Sequence, residues 1–339
     1  MKGDKKSVEK AIKNLSAMEQ TPAVLNAIGV GDLRLAKCDE GKEKLNEALS
    51  LTEDNSEKVC ILNNLGNYRL NTPEDILNGN IDSKFEQALE KETDLARRII
   101  IRMNKIIYGP LLYLNEEEPI EYTRAEFEQL LKDEKTILGS NQIVEIYAYP
   151  MLSFYFNENE EDEIPYHEKA MEINHEQYQY RAADIIIYQG LVGIYNAAGN
   201  YEKALEYSDR LIDTVEGFLS DTDKYLVISY YDKTGILIKE KRYEEALQCI
   251  NILLGKQELR QEDRAKACLK LGELYYVQDD FSKAEETVKE AYNIFRTEKG
   301  ENRVKEIDID EILEIYQDAD YYDSNPDYME WLKGQLENL

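Results

Sequence analysis

The sequence is poor in the residues that build metal centres. It contains two histidines and four cysteines among 339 residues. His167 and His175 lie on one predicted helix with no cysteine nearby, whereas a zinc site needs about four converging ligands. The cysteines form no CxxC pair and fall in apolar helical patterns, which predicts buried, reduced thiols; they are Cys38, Cys60, Cys249 and Cys268. We therefore expect no metal site and no cofactor.

Sequence signatures of common enzyme active sites are missing as well. No GxGxxG, GxxxxGK[ST] or GxSxG stretch occurs, and DADYYDSNPD (residues 318–327) lacks the central glycine of a calcium loop. Carboxylates are so numerous that a catalytic pair cannot be recognised among them. The sequence therefore predicts a protein that is not an enzyme.

Basic residues are scarce relative to acidic ones, with 41 Lys and Arg against 69 Asp and Glu and a net charge of -28. Nucleic acid and anionic membrane are polyanions that this field repels, so neither is expected as a partner, whereas a basic partner is favoured. No stretch approaches the roughly 20 apolar residues of a membrane span. The N-terminal residues contain no apolar signal region, and we expect a cytoplasmic protein.

What the chain does contain is a recurring pair of amphipathic helices. Residues 188–212, YQGLVGIYNAAGNYEKALEYSDRLI, comprise an apolar-periodic run, a Gly-Asn turn and a second apolar-periodic run. Two such helices joined by a tight turn form a helical hairpin. Residues 25–51 and 268–295 repeat the arrangement, with a glycine in the first helix. A small residue at that position lets the two helices of the hairpin cross closely.

These hairpins resemble the tetratricopeptide repeat (TPR), whose signature has Leu-Gly and Tyr in the first helix and two alanines in the second. The best copy, residues 268–295, places Leu271, Gly272 and Tyr275 in the first helix. Ala284 and Ala291 occupy the alanine positions of its second helix. The resemblance implies an all-α fold, a right-handed α-solenoid (superhelix) whose first helices line a concave groove.

Glycine spacing predicts the number of hairpins. Gly29 and Gly66 are 37 residues apart, which is about one repeat. Gly109 precedes Gly193 by 84 residues, which leaves room for one degenerate hairpin near residue 150. We predict about seven TPR-like hairpins, with first helices centred on Gly29, Gly66, Gly109, Pro150, Gly193, Gly235 and Gly272.

The predicted organisation is one helical-repeat domain over residues 1–339. It comprises an N-terminal helix (residues 1–20), the repeats (residues 21–300) and a C-terminal capping helix pair (residues 301–339). The cap contains the single tryptophan, Trp331. We expect this side chain to cover the open face of the last hairpin, because a solenoid needs an atypical end.

Amide side chains mark the exposed stripe of several predicted first helices. An amide offers two donors and an acceptor, so it can hold the backbone of an extended peptide whatever its side chains. The alternative is that these amides are solvated surface positions. A tyrosine beside Gly235 is also predicted to face the groove. The candidate ligand-contacting residues are Asn26, Asn63, Asn64, Asn67, Asn71, Gln189, Asn196 and Tyr231.

The sequence therefore predicts a non-catalytic protein–protein interaction module that binds a peptide or a partner-protein segment in its groove. LNNLG (residues 62–66) is similar to kinesin light chain repeats, and asparagine stripes are similar to those of peptide-sensing bacterial regulators. The second resemblance implies an alternative, a peptide-responsive regulator whose solenoid changes conformation on ligand binding. A carboxylate clamp for chaperone tails would need lysines and an arginine in register, which we do not find. The oligomeric state is not predicted.

Overall fold

The computed structural model describes residues 5–35, 37–66, 80–108, 117–139, 142–147, 149–150, 163–216, 218, 224–257, 259–298, 309–319 and 325–338. Its α-helices are α1 (Lys5–Ser16), α2 (Pro22–Arg34), α3 (Cys38–Leu51), α4 (Asn55–Leu65), α5 (Asn80–Lys91), α6 (Leu95–Tyr108), α7 (Glu117–Ile137), α8 (Ile164–Ile173), α9 (Arg181–Ala197), α10 (Tyr201–Glu216), α11 (Lys224–Lys239), α12 (Tyr243–Leu254), α13 (Gln261–Tyr276), α14 (Phe281–Glu298), α15 (Ile309–Ala319) and α16 (Pro326–Leu336). Residues 145–147 and 149–150 are also helical, and a π-helical turn, Asn174–Tyr178, follows α8.

Successive helices pack as hairpins: α2 with α3, α4 with α5, α6 with α7, α11 with α12, and α13 with α14. We call α2, α4, α6, α9, α11 and α13 the first helices, and their successors the second helices. The predicted glycines fall in or directly after first helices, except that Gly109 lies outside the described residues. The prediction of an all-α solenoid of TPR-like hairpins with a C-terminal helix pair is confirmed.

The chain divides into two compact units. The first unit is Met1–Gly190 with Gly217–Ser220, and the second is Leu191–Glu216 with Asp221–Leu339. The first unit contains separate apolar clusters, one of which includes the fully buried Leu25 and Leu45 of α2 and α3. In the second unit, a cluster joins α13 and α14 to the C-terminal helices α15 and α16. The organisation as one domain over residues 1–339 stays a prediction.

Glycine permits the closest crossings of first and second helices. A Cβ added at Gly29 would lie 2.9 Å from the carbonyl oxygen of Gly41, so α2 and α3 approach each other through their backbones. At Gly66, which caps α4, an added Cβ would lie 2.6 Å from Cε2 of Phe85. The Phe85 ring, on α5, is fully buried. The prediction that Gly66 is small because two helices cross there is confirmed.

The tryptophan of the C-terminal helix pair covers the last hairpin, as predicted. Its ring stacks on Tyr328 and packs against Tyr276 of α13, with ring centres 5.6 Å and 5.3 Å apart. The Tyr328 hydroxyl donates to the carbonyl oxygen of Leu269 at 2.9 Å. Oδ1 of Asn325 caps the start of α16 by accepting from the Tyr328 N–H. The cap is thus held by aromatic packing and by hydrogen bonds.

The prediction of four buried thiols is wrong for Cys60. All four thiols are free, and Cys249 and Cys268 are buried, but Cys38 is half-buried and Cys60 is exposed. Val59 and Ile61, on either side of Cys60, are buried and form the inward arc of α4. Successive helical residues are about 100° apart, so Cys60 lies on the opposite side of α4 from the arc that Val59 and Ile61 share with Leu62 and Leu65.

Replacing Gly66 by alanine is expected to destabilise the protein by about 1 to 3 kcal/mol, because the new methyl group must displace the buried Phe85 ring. The matched control is Gly334→Ala in α16, where an added Cβ meets no atom within 4 Å. That change should stabilise the protein by up to about 1 kcal/mol through helix propensity. Urea unfolding followed by circular dichroism measures both, and equal stability of the two variants would contradict the close crossing.

The two histidines lie close together in the chain, His167 on α8 and His175 in the π-helical turn that follows it. His167 is 2% exposed, and an added Cβ at Gly190 of α9 would lie 2.6 Å from its Cδ2. Burial lowers the pKa of His167 to about 4, against a weaker opposing effect from the Glu163 carbonyl. His175 is 47% exposed, and its Nε2 lies 3.1 Å from Oδ1 of Asp184. The two rings therefore differ in their exposure to solvent.

The low pKa of His167 predicts a loss of stability on acidification. His167 binds a proton near pH 6.5 in the unfolded chain and only near pH 4 in the folded chain. The contribution of the neutral, buried His167 to the free energy of unfolding is therefore fully present above pH 6.5 and is lost as the pH falls toward 4. Between pH 7.5 and pH 5.5 this loss should be about 1 kcal/mol in wild type and absent in His167→Gln. His175→Gln serves as the exposed control. An identical pH dependence of urea unfolding for wild type and His167→Gln would contradict the assignment.

Candidate functional site

Amide side chains join three first helices of the first unit. Nδ2 of Asn64 on α4 donates to Oδ1 of Asn26 on α2 at 2.9 Å. Nδ2 of Asn104 on α6 donates to Oδ1 of Asn63 on α4 at 3.0 Å. The partners are 38 and 41 residues apart, which is one repeat. We call these two bonds the amide rungs.

The four amides of the rungs are half-buried and keep unused hydrogen-bonding capacity. A primary amide has two donor hydrogens and an oxygen with two lone pairs, and each rung uses only one donor and one lone pair. Within the part of the chain that the structure describes, these side chains make no further hydrogen bond. The remaining donors and acceptors are therefore available to water or to a ligand.

A third polar contact bridges the N-terminal ends of α4 and α6. Nη1 of Arg97 donates to Oγ of Ser56 at 2.8 Å, again across 41 residues. The same guanidinium lies 3.7 Å from Oε2 of Glu92. Ser56 precedes Asn63 by two helical turns, or roughly 10.5 Å along the axis. Polar contacts thus lie at two levels along the α4–α6 contact. About three residues of extended chain would span the distance between these levels.

Helix caps set these levels. Oδ1 of Asp54 accepts from the N–H of Glu57 at 2.8 Å and starts α4, and Oδ1 of Asp94 accepts from the N–H of Arg97 at 2.9 Å and starts α6. Arg98 donates from Nη1 to the Glu92 carbonyl at 2.9 Å, which ties α6 to the end of α5. Because an aspartate cap fixes each start, residues at similar distances from the two caps lie side by side.

First helices of the second unit are bridged differently. Nζ of Lys239 on α11 donates to Oδ1 of Asn196 on α9 at 3.3 Å. Nζ of Lys270 on α13 lies 4.8 Å from the ring centre of Tyr231 on α11. Asn196 is 6% exposed and Tyr231 is 3% exposed. Both candidates therefore lie between neighbouring helices, where they cannot contact a ligand directly.

The bridging continues into the C-terminal helix pair through a buried ion pair. Lys270 Nζ lies 2.9 Å from Oε2 of Glu273, and both side chains are buried. The Tyr316 hydroxyl, on α15, donates to the same carboxylate oxygen at 2.7 Å across 43 residues. This cluster was not predicted from sequence. The signal that could have found it is polar residues about one repeat length apart.

The structure therefore brings only part of the predicted set together. Asn26, Asn63 and Asn64 meet through the rungs, and the unpredicted Asn104 joins them. Gln189 is half-buried on α9, away from the rungs in sequence and on a different first helix. Asn67 and Asn71 lie outside the described residues.

The amide rungs can form hydrogen bonds with neutral groups of a ligand. In the described ranges, no group of three His, Cys, Asp or Glu side chains could hold a metal ion. No helix within those ranges combines the length and apolarity needed to cross a membrane. The surface offers amide donors and acceptors to a ligand.

A double-mutant cycle is expected to detect the Asn63–Asn104 rung. The single changes Asn63→Ala and Asn104→Ala should each lower the free energy of unfolding, and the double variant should lose less than their sum. A coupling of about 0.5 to 1.5 kcal/mol is expected for one neutral hydrogen bond. Urea unfolding of the four proteins measures it. Strict additivity would show that the two amides do not interact.

Comparisons with known proteins identify the fold but no close relative. A scan against protein-family models gives no match, and no curated protein matches significantly. A signal transduction ATPase with numerous domains (STAND) protein with a tetratricopeptide repeat sensor, from Pyrococcus horikoshii, is similar in structure with a TM-score of 0.58 and 15% identity. The match covers 98% of this chain and 52% of that protein, so this chain spans about half its length.

Two further solved structures are similar. A monomeric mutant of IFIT1 with Gppp-AAAA has a TM-score of 0.56 and 14% identity, over 98% of this chain and 76% of that one. A tetratricopeptide repeat protein from Parabacteroides merdae has a TM-score of 0.41 and 17% identity, over 89% of this chain and 99% of that one. Together with the hairpin packing and the glycine crossings, the matches above a TM-score of 0.5 lead to one conclusion. The chain has a TPR-like helical-repeat fold.

Proposed function

We propose that the protein is a non-catalytic interaction module that holds an extended peptide, or an extended segment of a partner protein, on the first-helix surface of its first unit. The observation that carries the proposal is the pair of amide rungs, whose half-buried side chains keep free donors and acceptors. A helical-repeat fold supports the general role of a protein-interaction scaffold.

Binding would proceed by capture of the ligand backbone. An extended chain presents N–H and C=O groups every 3.2 to 3.4 Å or so, and a primary amide can pair with both. Asn26, Asn63 and Asn64 supply these amides on two neighbouring helices. Asn67 and Asn71, from the same run of asparagines, belong to the proposed surface on sequence grounds. Such contacts are independent of ligand side chains, so other features must set specificity.

The net charge of -28 would act at longer range by speeding the approach of a basic partner. Four free thiols agree with a reducing compartment, and we propose that the interaction takes place in the cytoplasm. For the alternative of a peptide-responsive regulator, we find no specific observation in the described residues that favours it over passive binding.

The test must separate ligand contact from the structural role of the rungs. Asn63→Ala/Asn64→Ala removes both proposed contacts and both rungs, whereas Asn104→Ala breaks one rung and leaves the Asn63 amide in place. A pull-down from source-cell lysate is run with wild type and the two variants, after circular dichroism has shown equal helicity. We expect Asn63→Ala/Asn64→Ala to lose a partner that wild type and Asn104→Ala retain.

Two outcomes would overturn the proposal. Equal recovery of every partner by all three proteins would show that the asparagines are not contacts. Equal loss by both variants would show that the rungs act only by holding the helices in place.

A further inference from the structure

Charge in the first unit segregates by helix. The first helices α2, α4 and α6 together contain six basic residues and two acidic ones, Asp32 and Glu57. The second helices α3, α5 and α7, together with α8, contain eight basic and sixteen acidic residues. In the first unit, the acidic excess therefore does not come from the helices α2, α4 and α6.

On α2, and on α4 past its first turn, the accessible side chains carry no charge. Every charged residue of α2 is buried, and past the first turn of α4 the residues that are not buried are all neutral. By contrast, α3 exposes or half-exposes six charged residues. The neutral, accessible set on α2 and α4 consists of Ala23, Val24, Asn26, Ala27, Val30, Cys60, Asn63 and Asn64, with Pro22 at the start of α2. We call this set the neutral stripe.

Two of the four cations of α6 are paired with carboxylates of second helices. Arg102 is bound by Asp133 at 2.6 Å and by Glu126 at 3.1 Å, both on α7. Lys105 pairs with Glu86 of α5. These carboxylates come from the second helix of the same hairpin, α7, and from that of the preceding hairpin, α5.

A neutral stripe on so charged a protein indicates the kind of ligand it takes. Charged residues are depleted at the cores of protein–protein interfaces, because a charge that loses water there must be compensated. The neutral stripe offers amide dipoles and small apolar side chains, which do not compensate a buried charge. A basic or acidic ligand residue placed on it would pay the desolvation cost without an ionic partner.

We propose that the ligand segment lying across α2 and α4 is extended and uncharged, and that any basic residues of the partner lie outside it. The inference rests on the proposed function and specifies the ligand chemistry at the same surface. The -28 charge of the whole chain then acts on the flanks of the ligand, and the neutral stripe selects the segment that is held.

Three pools of synthetic nonapeptides, capped at both ends, serve as probes. All are random in Ala, Ser, Thr, Val and Asn; one has no charge, one has two fixed lysines and one has two fixed glutamates. Binding of fluorescent pools to the full chain is measured by anisotropy for wild type, Ala27→Lys and Ala27→Glu. Asn46→Lys adds the same charge to the exposed side of α3 and is the matched control.

The uncharged pool is expected to bind most tightly. Either charge at position 27 should weaken its binding about tenfold, while Asn46→Lys leaves it unchanged. The inference is overturned if a charged pool binds wild type more tightly than the uncharged pool and Asn63→Ala/Asn64→Ala abolishes that binding; the proposed function would then stand. If no pool shows binding that depends on Asn63 and Asn64, both the inference and backbone capture fail.

Discussion

The close crossing of two helices within a hairpin is the constraint on which the rest of the structure depends. At Gly29 and Gly41 the backbones of α2 and α3 come so near that no side chain fits between them. At this separation the apolar stripes of the two helices are buried inside the hairpin and against neighbouring helices. What remains on each of α2, α4 and α6 is a flank that contains an amide side chain, and this flank meets the corresponding flank of the next first helix. The inter-repeat contacts therefore follow from the crossing.

These inter-repeat contacts change in character along the chain. In the first unit they include the bond from Arg97 to Ser56 and two neutral amide bonds between half-buried side chains, each amide bond contributing about 1 kcal/mol. In the second unit they include the buried pair of Lys270 and Glu273, which cannot lose a partner without leaving a desolvated charge. A ligand can add to the first kind of contact, or exchange with it, at small cost. That difference favours the amides of the first unit for the proposed binding role.

Much of the fold was predictable because it is encoded in local periodicity. The helical hairpins, the small residue at Gly66 and the covering role of Trp331 each depend on residues within one or two repeats. The site was only partly predictable, because the exposure of a polar residue depends on which side chain of the next repeat meets it. Tyr231 is buried where Lys270 of the next first helix lies against its ring. Asn104 was not predicted, because only its hydrogen bond to Asn63 of the preceding repeat distinguishes it from other polar residues. Within one helix, the sequence does not contain this information.

Net charge alone does not predict which ligand residues a surface accepts, because it sums over surfaces that a ligand contacts separately. A field of -28 charges acts beyond a Debye length of about 10 Å only weakly at moderate salt, so it governs encounter more than contact. At contact, the groups within a few ångströms decide which ligand residues are tolerated. The accessible groups of α2, and of α4 past its first turn, are neutral, although α3, which forms a hairpin with α2, is acidic. A partner can therefore be attracted by its basic residues and held by an uncharged segment without contradiction.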